Sequence, residues 1–116
     1  GKPAGCWIGP TGQVIMALPG NPVSALTGLH AFVLPSLAVA SGLPLPKPRL
    51  VVPAERMDGL PGMTQHLPVM LGADGRVQAA PTGNSGDFIG LLKSDGFVTL
   101  PPRGGVSVAL PFIPWL

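Results

Sequence analysis

The chain has 116 residues, 46 % of them hydrophobic and only 10 % charged, with a formal net charge of +2. That balance excludes a disordered chain, which combines low hydrophobicity with high charge, and it leaves no basic patch for a nucleic acid. The 17 glycines and 16 prolines call for short elements joined by many turns, and the single cysteine, Cys6, allows no internal disulfide and fits a reducing compartment.

Taken in order, residues 13–18 form an apolar run with two β-branched members, which predicts a short buried strand. Residues 18–21, Leu-Pro-Gly-Asn, then hand over to a helix. Gly20 permits a positive φ, Asn21 is a preferred N-cap, and Pro22 suits the first helical position. Val23, Leu26, His30, Val33 or Leu34, and Leu37 follow a helical rhythm, with Leu29 and Phe32 adding a second apolar face. Pro35 removes a backbone donor and crowds the carbonyl of Ala31, so the helix must kink or restart there. Gly42 followed by Pro44 stops it. Residues 22–41 have the length of a membrane span, but Ser24, Thr27, Gly28, His30, Pro35 and Ser36 interrupt them, which favours a helix buried on most sides within a protein core. No signal-peptide pattern opens the chain. A strand and a helix cannot make an α/β domain; such a strand wants parallel neighbours and cover on both faces. Residues 1–46 therefore read as the end of a domain that begins elsewhere.

Residues 43–48 are a proline-rich stretch and the expected boundary. Beyond it come short strands: residues 49–52, then 64–71 and 76–80 flanking Gly72-Ala73-Asp74-Gly75, a hairpin signal. Residues 88–93 fit one or two helical turns, capped by Ser85 or Asp87. Residues 97–100 and 106–110 make a second strand pair across 101–105. Pro53 and Pro68 require edges or bulges. A small bent β-barrel over 47–116 accommodates these elements.

Few residues carry chemistry. His30 and His66 stand far apart with no cysteine or histidine cluster, which argues against zinc. Glu55, Asp58, Asp74, Asp87 and Asp95 sit mostly beside glycine or in turns, where acids bond the local backbone, and no pair reads as general acid and base. The free N–H groups at the start of the first helix, with its dipole behind them, would suit a phosphate or oxyanion. Gly83-Asn84-Ser85-Gly86-Asp87 can form a second anion nest or a plain capped loop. Lys2 is the only charged residue among the first 46.

The octet Leu18-Pro19-Gly20-Asn21-Pro22-Val23-Ser24-Ala25 resembles the Leu-Pro-Gly-Asn-Pro-Val-Ser-Ala signature of the molybdopterin molybdotransferases, the MoeA and gephyrin E-domain family. Gly1-Lys2-Pro3 resembles the family's Gly-Lys-Pro just upstream. Gly83-Asn84-Ser85-Gly86-Asp87 and Ser94-Asp95-Gly96-Phe97-Val98 resemble its C-terminal domain with matching spacing. His66 departs from the pattern, lying near where many members carry arginine.

The resemblance implies an α+β chain: a strand-loop-helix tail of an α/β molybdopterin-binding domain at 1–46, then a small β-barrel C-terminal domain at 47–116. It implies a parent enzyme that inserts molybdate into adenylylated molybdopterin with release of AMP, needs Mg2+, works in the cytoplasm as a homodimer, and binds neither nucleic acid nor membrane. Lys2, Pro19, Gly20, Asn21, Pro22, Ser24, Ser85 and Asp87 would contact substrate. The catalytic and metal-binding acids would lie upstream, so these 116 residues alone are expected to be inactive. The alternative is a non-catalytic β-barrel binding or assembly module with the apolar helix as a docking arm.

Overall fold

The computed structural model describes residues 3–45, 47–84, 86–102 and 105–116. The chain divides into two compact units, Gly1–Pro46 with Asn84–Asp87, and Lys47–Gly83 with Phe88–Leu116.

The first unit opens with a hairpin. Strand β1 (Gly5–Ile8) pairs antiparallel with β2 (Val14–Ala17), Cys6 opposite Met16 and Trp7 opposite Ile15. The turn is closed by Gly9 N–H donating to Gln13 O at 2.8 Å, and Gly12 takes a φ of +83° that only glycine adopts cheaply. This corrects two expectations. The partner of β2 is an antiparallel strand that the sequence did not announce, and β2 is not buried: Val14 and Ile15 are more than half exposed.

The helical run Pro22–Ala40 has three parts: α1 (Pro22–Gly28), a π-helical segment (Leu29–Val33) and α2 (Leu34–Ala40). Pro35 explains the interruption. It has no N–H for the carbonyl of Ala31, so the preceding turn widens, and the Leu34 N–H reaches back five residues to Leu29 O. Ser36 Oγ donates to Phe32 O at 2.7 Å. The run ends in a Schellman motif: Gly42, at φ +71°, donates to Val39 O, and Leu43 donates to Ala38 O. The predicted rhythm marks its buried face only in part, Val23 being buried and Leu26, His30 and Val33 half-buried. Val23, Ser24, Thr27 and Gly28 are buried, while Phe32, Leu34, Leu37 and Val39 are exposed. By length and composition alone this run could cross a membrane.

The second unit is a closed barrel in the order β3-β5-β4-β6-β7, formed by β3 (Arg49–Pro53), β4 (Gln65–Leu71), β5 (Arg76–Ala79), β6 (Gly96–Leu100) and β7 (Leu110–Pro114). The β4–β5 hairpin turns through Gly72–Gly75 as its sequence predicts, with Gly75 at φ +80°. The last strand lies further along than expected: residues 110–114, not 106–110, pair with β6, Gly96 opposite Pro114. Val106 instead makes a two-way bridge to Met57. Alternation along β6 sends Val98 and Leu100 into the core with Val51, Val69, Val77, Leu110 and Phe112. Phe97 points to the opposite face and is covered by the His66 ring, edge-on at 5.3 Å, and by Trp115 at 5.2 Å. Pro68 is tolerated inside β4 because its backbone faces the end of β5: its carbonyl accepts from Ala80 N–H, and Ala80 O, which a Pro68 N–H would otherwise meet, accepts from Thr82 N–H instead. A short helix, α3 (Phe88–Leu92), precedes β6.

Candidate functional site

The octet builds a tight turn between β2 and α1. Asn21 holds the N-cap position with extended backbone (φ −68°, ψ 131°), and its carbonyl accepts the first helical bond from Ala25 N–H at 2.8 Å. Pro22 follows at the start of the helix, where a missing donor costs nothing. The Asn21 side chain makes no capping bond to the helix, so the first-turn amides of Val23 and Ser24 are not consumed by their own cap. Ser24 is 8 % exposed and lies on the buried face of α1.

The turn is held by packing. A Cβ on Gly28 would stand 2.9 Å from Leu18 Cδ2, so the absence of a side chain on the helix lets Leu18 close against it. Thr27 Oγ1 donates to Val23 O at 2.7 Å and satisfies its own buried hydroxyl.

Gly20 differs from what its position in a turn suggested. Its φ is not positive, which corrects the expectation that the glycine serves backbone freedom. A Cβ there would meet nothing within 4 Å among the described residues. Neither dihedral strain nor packing demands glycine, and what its bareness provides is open space beside the amides of the helix start.

Pro19, Gly20, Asn21, Pro22 and Ser24 thus come together on one turn. Lys2 and Ser85 lie outside the described residues. Asp87 is half-buried, its N–H donates to Asn84 O at 3.1 Å, and Asn84 Oδ1 accepts from Gly86 N–H at 2.8 Å. Asn84–Asp87 groups with Gly1–Pro46 in one compact unit although it interrupts the barrel sequence, a grouping that no local signal announced.

The remaining acids behave largely as turn residues. Asp58 pairs with the exposed Arg56 at 3.2 Å, and Asp74 Oδ1 accepts from Arg76 N–H at 3.0 Å. Asp95 is the exception, because its Oδ2 accepts from Leu71 N–H at 2.7 Å and ties the end of β4 to the start of β6. His66 Nδ1 and Thr99 Oγ1 share a hydrogen bond at 3.0 Å, and burial lowers the pKa of the imidazole, as it does for His30. Among the described residues no three His, Cys, Asp or Glu side chains come together as a metal site.

Comparison with known proteins gives the same direction at two levels. In fold, the chain is similar over its whole length to the crystal structure of a molybdopterin biosynthesis MoeA protein from Pyrococcus horikoshii, with a TM-score of 0.80, 24 % identity and 29 % of that chain covered. A second crystal structure, of a molybdopterin biosynthesis MoeA protein from Pyrococcus horikoshii OT3, gives a TM-score of 0.67 at 21 % identity, covering 86 % of this chain and 27 % of the other. In sequence, it is 34 % identical over 109 residues to the molybdopterin molybdenumtransferase of Synechocystis sp., an alignment that takes in 88 % of this chain and 25 % of the relative. The chain therefore spans about a quarter of the length of that relative. The profile of the MoeA C-terminal region (domain IV) matches residues 51–108, which run from β3 to just before β7 and take in most of the barrel. With half of its length matched by that profile, the chain belongs to the MoeA C-terminal region family.

Proposed function

We propose that the Leu18–Ser24 turn is one wall of the substrate site of a molybdopterin molybdotransferase, in a protein of the length of its relative. That enzyme takes adenylylated molybdopterin and molybdate, releases AMP and leaves molybdenum on the dithiolene sulfurs. The observation that carries the reading is Gly20, bare without conformational or packing need, beside helix-start amides that suit an anion. Pro19, Asn21, Pro22 and Ser24 frame that space, and the proposal adds Lys2, Ser85 and Asp87 to it. The role of these groups is binding and positioning: backbone N–H groups and the helix dipole hold the phosphates and offset their charge. The Mg2+ that the resemblance implies has no ligand set among the described residues, and no step is assigned to it. A homodimer in the cytoplasm belongs to the same proposal, as does the inactivity of these 116 residues by themselves.

The test is binding of adenylylated molybdopterin by the longer protein carrying Gly20→Val. A branched side chain in the open space blocks close approach, and affinity falls about tenfold or more, the equivalent of one lost charge-assisted hydrogen bond. Unchanged affinity in a folded variant refutes the reading. A second reading has one observation in its favour, the large apolar side chains Phe32, Leu34, Leu37 and Val39 exposed around the second half of the helical run. If Gly20→Val leaves ligand binding intact while Leu37→Glu abolishes assembly, the chain is a binding module with a helical docking arm.

A further inference from the structure

At one mouth of the barrel, where β3 and β6 begin and β4 and β7 end, lies a cleft of about 500 Å³. Its apolar lining is Leu71, Phe112, Pro114, Trp115 and Leu116, and its charged side chains are Arg49 and Asp95. The mouth of a small barrel is a common ligand position, because the strands fix its walls before anything binds.

The walls are rigid for reasons that can be named. Phe112 belongs to the core and is 3 % exposed. The Trp115 indole N–H donates to Ser94 Oγ at 2.8 Å, Ser94 Oγ donates to Leu91 O at 2.6 Å, and the ring is packed against Phe97. The Trp115 backbone N–H donates to Asp95 O. An aromatic ring held on two sides is a preorganised platform, so a guest would not have to order it.

The two charges are not equivalent. Asp95 already accepts a backbone bond through Oδ2. The exposed Arg49 guanidinium, with five N–H donors, has no hydrogen-bond or ion-pair partner among the described residues. Among the described residues the guanidinium is the wholly unpaired charge of the two, Asp95 keeping one oxygen free beside its backbone bond, and the Trp115 ring lies on the same cleft. We propose that this cleft binds a small amphipathic carboxylate, with its apolar body against Pro114 and Trp115 and its carboxylate on Arg49. The site is separate from the Leu18–Ser24 turn and does not depend on the function proposed for it.

The probe is 4-phenylbutyrate, titrated into the full chain carrying Trp7→Phe. Trp7 is exposed and is the only other tryptophan, so Trp115 becomes the sole reporter. We expect a saturable change in Trp115 emission, a dissociation constant raised about tenfold by Arg49→Gln and mostly restored by Arg49→Lys, and no binding of 4-phenylbutylamine. Calorimetry on the unsubstituted chain and on Arg49→Gln repeats the comparison without a reporter. Absence of saturable phenylbutyrate binding in both measurements overturns the proposal, and so does equal affinity in Arg49→Gln. Binding of the amine as tight as the acid overturns it as well, and assigns the cleft to cations at Asp95.

Discussion

Replacing Gly96 by alanine tests a close backbone approach in the barrel. Gly96 begins β6 and pairs with Pro114 of β7. A Cβ there would press on the carbonyl oxygen of Ile113 and stand 2.7 Å from Phe112 Cε2 and 2.8 Å from Phe112 Cζ. Carbon atoms pack at about 3.5–4.0 Å, so the new methyl group is close to 1 Å too near the ring. Neither neighbour can yield cheaply, since Phe112 is core and Ile113 O is main chain in the β6–β7 ladder. Overpacking of this kind costs about 1–3 kcal/mol, and the rigid surroundings place Gly96→Ala near the top of that range, about 3 kcal/mol. For a unit of this size, that lowers the melting temperature by about 12–24 °C. Thermal denaturation followed by Trp115 emission in a Trp7→Phe background reads the barrel directly, because Trp115 packs on Phe97, next to Gly96. Urea titration should give a lower midpoint with the same slope. A melting temperature within about 2 °C of the parent would show that β6 and β7 separate freely, and the argument from close approach would be wrong.

Gly20→Ala gives the opposite outcome: with no positive φ and open space at its Cβ, stability changes by less than about 0.5 kcal/mol in chemical denaturation. A large loss there would mean that the glycine serves the fold. His66 makes stability depend on pH with a defined sign. Its folded pKa lies below the ordinary imidazole value of about 6.5 through burial, so the unfolded chain binds more protons just below that pH. Stability is complete above about 6.5 and declines as pH falls through that value towards the folded pKa. His66→Gln, which keeps a polar group beside Thr99, should flatten this slope in urea titrations at pH 7.5 and pH 5.5; an unchanged slope assigns it to another group.

The barrel was legible from its punctuation. Gly72–Gly75 fixed one hairpin, and Gly42 with Pro44 fixed the end of the helical run, because each needs a backbone geometry that few residues provide. The last strand was misplaced because residues 106–110 and 110–114 are both apolar, and only the pairing to β6 chooses between them. Part of the buried face of α1 was missed for another reason. Ser24, Thr27 and Gly28 are small, and they are buried because small residues allow Leu18 to approach, a criterion opposite to the hydrophobic rhythm used to find it. At the candidate site, the octet was readable as a turn, whereas the reason for Gly20 and the grouping of Asn84–Asp87 with residues 1–46 needed three dimensions. The Arg49 cleft gave no sequence signal, since its lining comes from four separate strand ends.

Closure of the barrel rests on its final strand. β7 bonds to β6 on one side and to β3 on the other, with Arg49 opposite Phe112. During synthesis, β3 must therefore wait with an open edge until about sixty further residues have left the ribosome, and β6 waits with it. A nonsense or frameshift mutation ahead of Leu110 would make that waiting state permanent, leaving two unpaired strand edges that can recruit other chains. Such alleles should accumulate in inclusion bodies or be cleared by proteases, even when every residue of the Leu18–Ser24 turn is intact.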